Sequence, residues 1–211
     1  MVPMPPLLPN IDHLILGAPD LEAGVAFVAE RLGVTPAVGW SHPQWGTRNA
    51  LLALDDGIYF EIIAPDPAAG GADTFGFHAF PFPRLFTWVM RDPDLETRTR
   101  LATRHGIPLG AIQHGGRQRP DGSTLSWRLT DPLALPCHGL VPFFIDWGDS
   151  PHPATTAPRA GRLLNLTGYH PAPETVCQAL GHLGLSIPIV AHTTPHLEAV
   201  IEGPRGTVRF T

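Results

Sequence analysis

Hydrophobic positions along the chain switch between two periods. Ile11 to Leu16 is a short apolar run of strand character, and after the turn Gly17-Ala18-Pro19-Asp20 the residues Leu21, Val25, Val28 and Leu32 recur on one helical face. Gly33 stands where a left-handed C-cap would close that helix, and Asp20 where a side-chain oxygen would cap its start. The pattern then returns. Leu85 to Met90 reads as a strand, Arg91-Asp92-Pro93-Asp94 as the turn and Leu95 to about His105 as a helix closed by Gly106, so Pro-Asp-Leu recurs at the same place. A more distant third copy takes Arg162 to Leu166 as strand, passes Pro171 to Pro173, and enters a helix with Val176, Leu180 and Leu183 that ends at Gly184.

Strands follow each helix. In the first unit they are Thr47 to Leu54 and Ile58 to Ala64, joined at Asp55-Asp56-Gly57, a hairpin signal. The second has Leu109 to Gly115, Thr124 to Thr130 after Arg119-Pro120-Asp121-Gly122, and Val141 to Trp147. The third has Ile187 to Ala191, then Leu197 to Glu202 and Thr207 to Phe210 about Gly203-Pro204-Arg205-Gly206. The reading is an α+β protein of repeated βαβββ modules over 8–70 and 84–150, with a third, partial βαββ unit over 160–211. Each unit covers one sheet face with its helix and leaves the other free. Two units side by side give a curved, cup-shaped mixed sheet with helices on its outer face.

Composition narrows the partner. Hydrophobic residues make up 43% and charged ones 16%, which rules out the signature of disorder. A net charge of -5 with no run of Lys or Arg argues against nucleic acid or an anionic membrane, since both are bound first through clustered cations. A small molecule is the expected ligand. No apolar run approaches the roughly 20 residues of a membrane span, and Met1 to Asn10 lacks the basic start of a signal peptide, so a cytoplasmic location is expected. Cys137 and Cys177 are too few for a disulfide framework and too far apart for a metal knuckle.

Several segments carry a family likeness: Ile11-Asp12-His13-Leu14-Ile15-Leu16 with Pro19-Asp20-Leu21, Gly46-Thr47-Arg48-Asn49, and Tyr59-Phe60-Glu61-Ile62-Ile63-Ala64. Arg119-Pro120-Asp121-Gly122, Trp127-Arg128-Leu129, Pro142 to Trp147 and His152-Pro153 extend it. In these the chain resembles the vicinal oxygen chelate superfamily of glyoxalases, bleomycin-resistance proteins and extradiol dioxygenases, and more narrowly its glyoxalase-like domain proteins. The resemblance implies fold more than reaction, because this architecture hosts isomerases, lyases, dioxygenases and plain binding proteins.

The resemblance puts metal ligands on the first and last strands of each module, and His13 and Glu61 hold those places in the first. Both alternate with apolar residues on faces that read as buried, where a carboxylate must be paired, protonated or bound to a cation. Such a pair suits Zn, Fe, Mn or Ni as a divalent ion; the bland alternative is that the two bond each other in a wet cup. The second module breaks the pattern, with Thr87 in the place of His13 and Ile145 or Asp146 opposite Glu61. Asp146 or a loop histidine, His152 first and His42 second, would have to complete a metal set. Arg48, Asn49, Arg119 and Arg128, with Arg117 nearby, are candidates to bind an anionic substrate, and Trp127 and Trp147 to line its pocket.

Two functions remain open on these grounds. One is a metal-dependent lyase, isomerase or dioxygenase acting on a small molecule with vicinal oxygens, His13 and Glu61 being catalytic. The other is a non-catalytic, resistance-type binding protein. Exposed strand edges of such modules are of the kind that pair, so a homodimer is expected in either case.

Overall fold

The computed structural model describes residues 9–54, 57–69, 73–118 and 124–211. The first unit is β1 (Ile11–Gly17), α1 (Leu21–Leu32), β2 (Ala37–His42), β3 (Thr47–Leu54) and β4 (Tyr59–Pro65). The second is β5 (Arg84–Arg91), α2 (Leu95–Arg104), β6 (Gln113–Gln118), β7 (Thr124–Leu129) and β8 (Phe143–Asp146). The third is β9 (Arg159–His170), α3 (Pro173–His182), β10 (Ile189–Ala191), β11 (His196–Gly203) and β12 (Gly206–Phe210). Helix signals act locally as read. Asp20 accepts from the Ala23 amide at 2.7 Å, Asp94 accepts from the Thr97 amide at 3.0 Å, and Gly33 takes the left-handed C-cap at φ 81°.

The first two units share one wiring. β1 runs parallel to β4 and β5 parallel to β8, each beside an antiparallel hairpin, and β1 against β5 joins the halves. The strand order is β12-β11-β9-β3-β4-β1-β5-β8-β7-β6, with β2 on β3 and β10 on β9. The third unit is wired differently: β9 lies between β11, antiparallel, and β10, parallel, and meets β3 only at Ala53 and Leu54. It is therefore a full βαβββ sequence with its own pairing.

Alternation along the strands sorts the core into two. Leu14, Leu16, Phe60, Ile62, Leu52 and Trp88 face the helices, where Val28, Leu32 and Ala102 also pack. The third unit covers this same outer face, bringing Leu163, Leu166, Leu197, Ile201 and Phe210 into one cluster with it. Ile15, Ile63, Val89, Leu125, Trp127, Leu129, Phe143 and Ile145 make a second, smaller cluster on the inner face.

Three local departures from the expected elements have visible causes. β6 begins at Gln113 and not Leu109, because Leu109 turns into the outer core and Gly110 takes φ 67°, which an extended strand does not. β2 was not expected because Ala37, Val38 and Ser41 are exposed and show no alternation; it is a short edge strand with an irregular register on β3. β9 starts earlier and runs further than Arg162–Leu166, since its two ends pair with different neighbours. The expected turns at 55–56 and 119–122 lie outside the described residues, and Arg119 with them.

Candidate functional site

The inner face forms an open cup lined mostly by aromatic and aliphatic side chains with a few convergent polar groups, the make-up of a small-molecule site. All of its lining residues lie between His13 and Pro153, so the third unit supports the cup from behind without entering it. The polar lining comes from the first module: His13, His42, Asn49, Tyr59 and Glu61. The second module supplies apolar wall, including Phe86, Trp127, Phe143 and Trp147.

Strand register explains which side chains meet. β4 pairs Glu61 with Ile15 on one side and Leu51 on the other, so His13 and Asn49 are its diagonal neighbours. Nε2 of His13 lies 3.4 Å from Oε2 of Glu61, while the Asn49 amide donates to Oε1 of Glu61 at 2.7 Å. Asn49 is fixed in turn, its carbonyl oxygen accepting from the Trp40 amide at 2.9 Å. A Cβ on Gly39 would come within 2.1 Å of that oxygen. Gly39→Ala and Asn49→Ala should therefore each cost about 1–3 kcal/mol. The double variant should cost little more than the worse single one, because both break the same support; urea denaturation of the four proteins checks this.

Behind His13 stands Asp12, which alternation alone would send to the helix side. A β-bulge reverses this: β5 pairs Ile11 with Met90 and His13 with Val89, leaving Asp12 as the extra residue. Its fully buried carboxylate accepts from His13 Nδ1 at 2.7 Å, Arg91 Nε at 3.0 Å, Trp147 Nε1 at 3.1 Å and His152 Nε2 at 3.2 Å. Burial pushes the Asp12 carboxyl up, but the hydrogen bonds from His13 and His152 outweigh it and hold the group far below the usual carboxylate range. Tyr59 stacks on the His13 ring with centroids 4.2 Å apart. Burial, then the nearby Glu61 and Asp12, raise its phenol well above the ordinary value, so it stays protonated.

The arginine candidates are placed elsewhere. Arg48 lies on the opposite parity of β3 from Asn49 and pairs with Glu22 of α1 at 2.6 Å. Arg128 repeats the arrangement in the second module, bonding Glu96 of α2 at 2.6 Å and Asp146 at 2.8 Å. Neither lines the cup, and neither does Asp146, whose neighbour Ile145 takes the inward position. Trp127 and Trp147 do line it, 5.5 Å apart. Arg117 lies over the ring of Trp40.

The donors do not fit a divalent metal. His13 and Glu61 face the cup, but Asp146 is held outside by Arg128, and His152 gives Nε2 to Asp12 while Nδ1 accepts from the Ala154 amide. Among the described residues no group of three His, Cys, Asp or Glu side chains is arranged to hold a metal ion. The second module offers no replacement. Matching Pro-Asp-Leu turns align Ile15 with Val89, and Val89 pairs with Phe143 where Ile15 pairs with Glu61, so Phe143 stands in the place of the carboxylate.

A family model described as glyoxalase-like domain matches residues 11–184, most of both modules and the start of the third unit. The chain belongs to the glyoxalase-like domain family, within the vicinal oxygen chelate superfamily. The glyoxalase-like fold is also that of a hypothetical protein from Staphylococcus aureus, at 12% identity and TM-score 0.64, covering 95% of this chain and 98% of that one. Methylmalonyl-CoA epimerase from Mycobacterium tuberculosis is a more distant likeness, at 18% identity and TM-score 0.44, covering 66% of this chain and 88% of that one. Among curated proteins the sequence has no significant match. No helix of the described residues is long and apolar enough to cross a membrane.

Asp12 is the residue that reading the sequence missed as part of the site. Its signal was a charged side chain beside His13 in a strand otherwise apolar on both faces. Asn49 was expected to bind substrate, and the structure has its amide engaged by Glu61 and the Trp40 backbone.

Proposed function

We propose that this glyoxalase-like protein is an enzyme that moves protons on a small, largely apolar carbonyl compound, with His13 and Glu61 as its acid–base pair. One observation carries the reading: Asp12, His13 and Glu61 form a line of carboxylate, imidazole and carboxylate at the polar floor of an aromatic cup. Asp12, kept ionised, holds the proton of His13 on Nδ1 and leaves Nε2 directed at Glu61. Asn49 engages Oε1 of Glu61 and leaves Oε2 for the cup. A carbon acid seated against this pair can give a proton to one member and receive it from the other, the chemistry of an isomerase or a lyase.

The test is proton exchange. Acetophenone, 2-hydroxyacetophenone and phenylpyruvate are incubated with the protein in D2O, and loss of the hydrogens next to the carbonyl is followed by proton NMR. Exchange should be catalysed by the wild type and fall by about 10²–10⁴ in Glu61→Gln and His13→Phe, with tryptophan fluorescence quenching by the same ketones retained. Ketones that quench the wild type but exchange in none of the proteins would make this a sequestering protein instead.

A further inference from the structure

Of the polar residues lining the cup, His42 is left without a task by the acid–base pair. It closes β2 at the rim of the first module, 8% exposed, with its ring edge toward Trp45 at 6.0 Å. Nδ1 lies 3.2 Å from the hydroxyl of Thr47, which is fully buried and has no other side-chain partner among the described residues. A buried hydroxyl left only to accept would strand its own hydrogen, so Thr47 donates to Nδ1 and the proton of the neutral ring sits on Nε2. Nε2 bonds to none of the described residues. The ring lines the cup, so this N–H is a donor open to a ligand.

The surroundings favour a neutral donor and an anionic acceptor. Burial lowers the affinity of His42 for a second proton and Arg117 adds to this, against the opposing pull of Glu61 and Asp66. Glu61 and Arg117 are thus both felt at this ring, one from the acid–base pair and one from the strand beyond Trp40.

We infer that His42 is a further catalytic residue, whose Nε2–H receives the oxygen of an enolisable carbonyl as that oxygen becomes an oxyanion. The assignment rests on the proton-transfer reading and names its substrate class. In the step, the C–H bond next to the carbonyl breaks and its proton passes to Oε2 of Glu61. The bonding pair forms the C=C bond, and the carbonyl π pair moves onto oxygen, where the His42 N–H meets it. A neutral imidazole serves this role because it donates without delivering a full proton in advance. Thr47 is then a positioning residue that selects the tautomer.

The experiment uses 4-nitrophenolate, a stable aromatic oxyanion whose colour reports its ionisation without any turnover. Bound to the wild type it should stay ionised to lower pH than in water. His42→Phe, which keeps the ring shape and removes the donor, should weaken phenolate binding about 10- to 100-fold and abolish the shift. Thr47→Val should reproduce part of the loss with His42 in place, and it decides the matter if His42→Phe does not fold. Glu61→Gln should bind the phenolate at least as well as the wild type. Failure of the wild type to bind the phenolate, or equal binding by His42→Phe and Thr47→Val, overturns the assignment. If phenolate binding depends on His42 while no ketone exchanges, the donor stands and the proton-transfer reading falls.

Discussion

Replacing Asp12 with alanine should destabilise the protein by about 3–5 kcal/mol at neutral pH, the cost of removing one member from a buried set of charged partners. The carboxylate holds His13, Arg91, Trp147 and His152 at once, so its loss strands four donors, of which His13 is buried, Trp147 and His152 are half-buried and Arg91 is exposed. The pH dependence has a definite sign. A group whose folded pKa lies below its unfolded value, about 3.9 for aspartate, stabilises above that value and loses the contribution as pH falls toward the folded one. Asp12 is such a group. The gap between wild type and Asp12→Ala should be full above about pH 5 and narrow progressively below about pH 4, measured by urea denaturation at stepped pH. A gap that widens in acid would contradict the ionised, buried carboxylate. Asp12→Asn keeps the shape but lets the amide donate to Nδ1, moving the His13 proton to Nε2; ketone exchange should then drop by about 10³–10⁴.

The second large effect lies at the far end of the chain. Phe210 on β12 is 1% exposed, packs edge-on to Phe60 at 5.1 Å and Phe27 at 6.1 Å, and is followed by Thr211, whose carbonyl accepts from the Leu85 amide. Its ring ties the third unit to the helix side of β4. Phe210→Ala should cost about 3–5 kcal/mol, read as a lower urea midpoint with an unchanged slope if the three units unfold together. Two separate transitions would instead show that the third unit melts on its own.

The two-module plan could be read from the sequence because its signals are local: a Pro-Asp-Leu turn, an apolar stripe and a closing glycine need no tertiary context. His13 and Glu61 were found the same way, as polar breaks in apolar alternation. What failed was anything that depended on parity being broken or on partners distant in sequence. Asp12 could not be placed, since the bulge that turns it comes from its register on β5, about 80 residues away. The charge of Arg48 and Arg128 and the place of Asp146 on the last strand of the second module suggest the cup, yet each is one position out of phase with a residue that lines it and is held on the helix side. The differing pairing of the third unit left no trace in a pattern that repeats the other two.

The division of the cup between its modules has a consequence for change over time. The groups able to handle protons sit on β1 to β4, with Asp12 also held by Arg91, Trp147 and His152, whereas most of the wall contributed by β5 to β8 is apolar side chain with no polar partner to lose. Substitutions at Leu125, Leu129 or Ile145 can therefore reshape what is admitted and leave the reactive floor intact, whereas Phe143 packs edge-on against His13. Selectivity and reactivity are free to drift separately, as in a tool whose jaw can be exchanged without touching the handle.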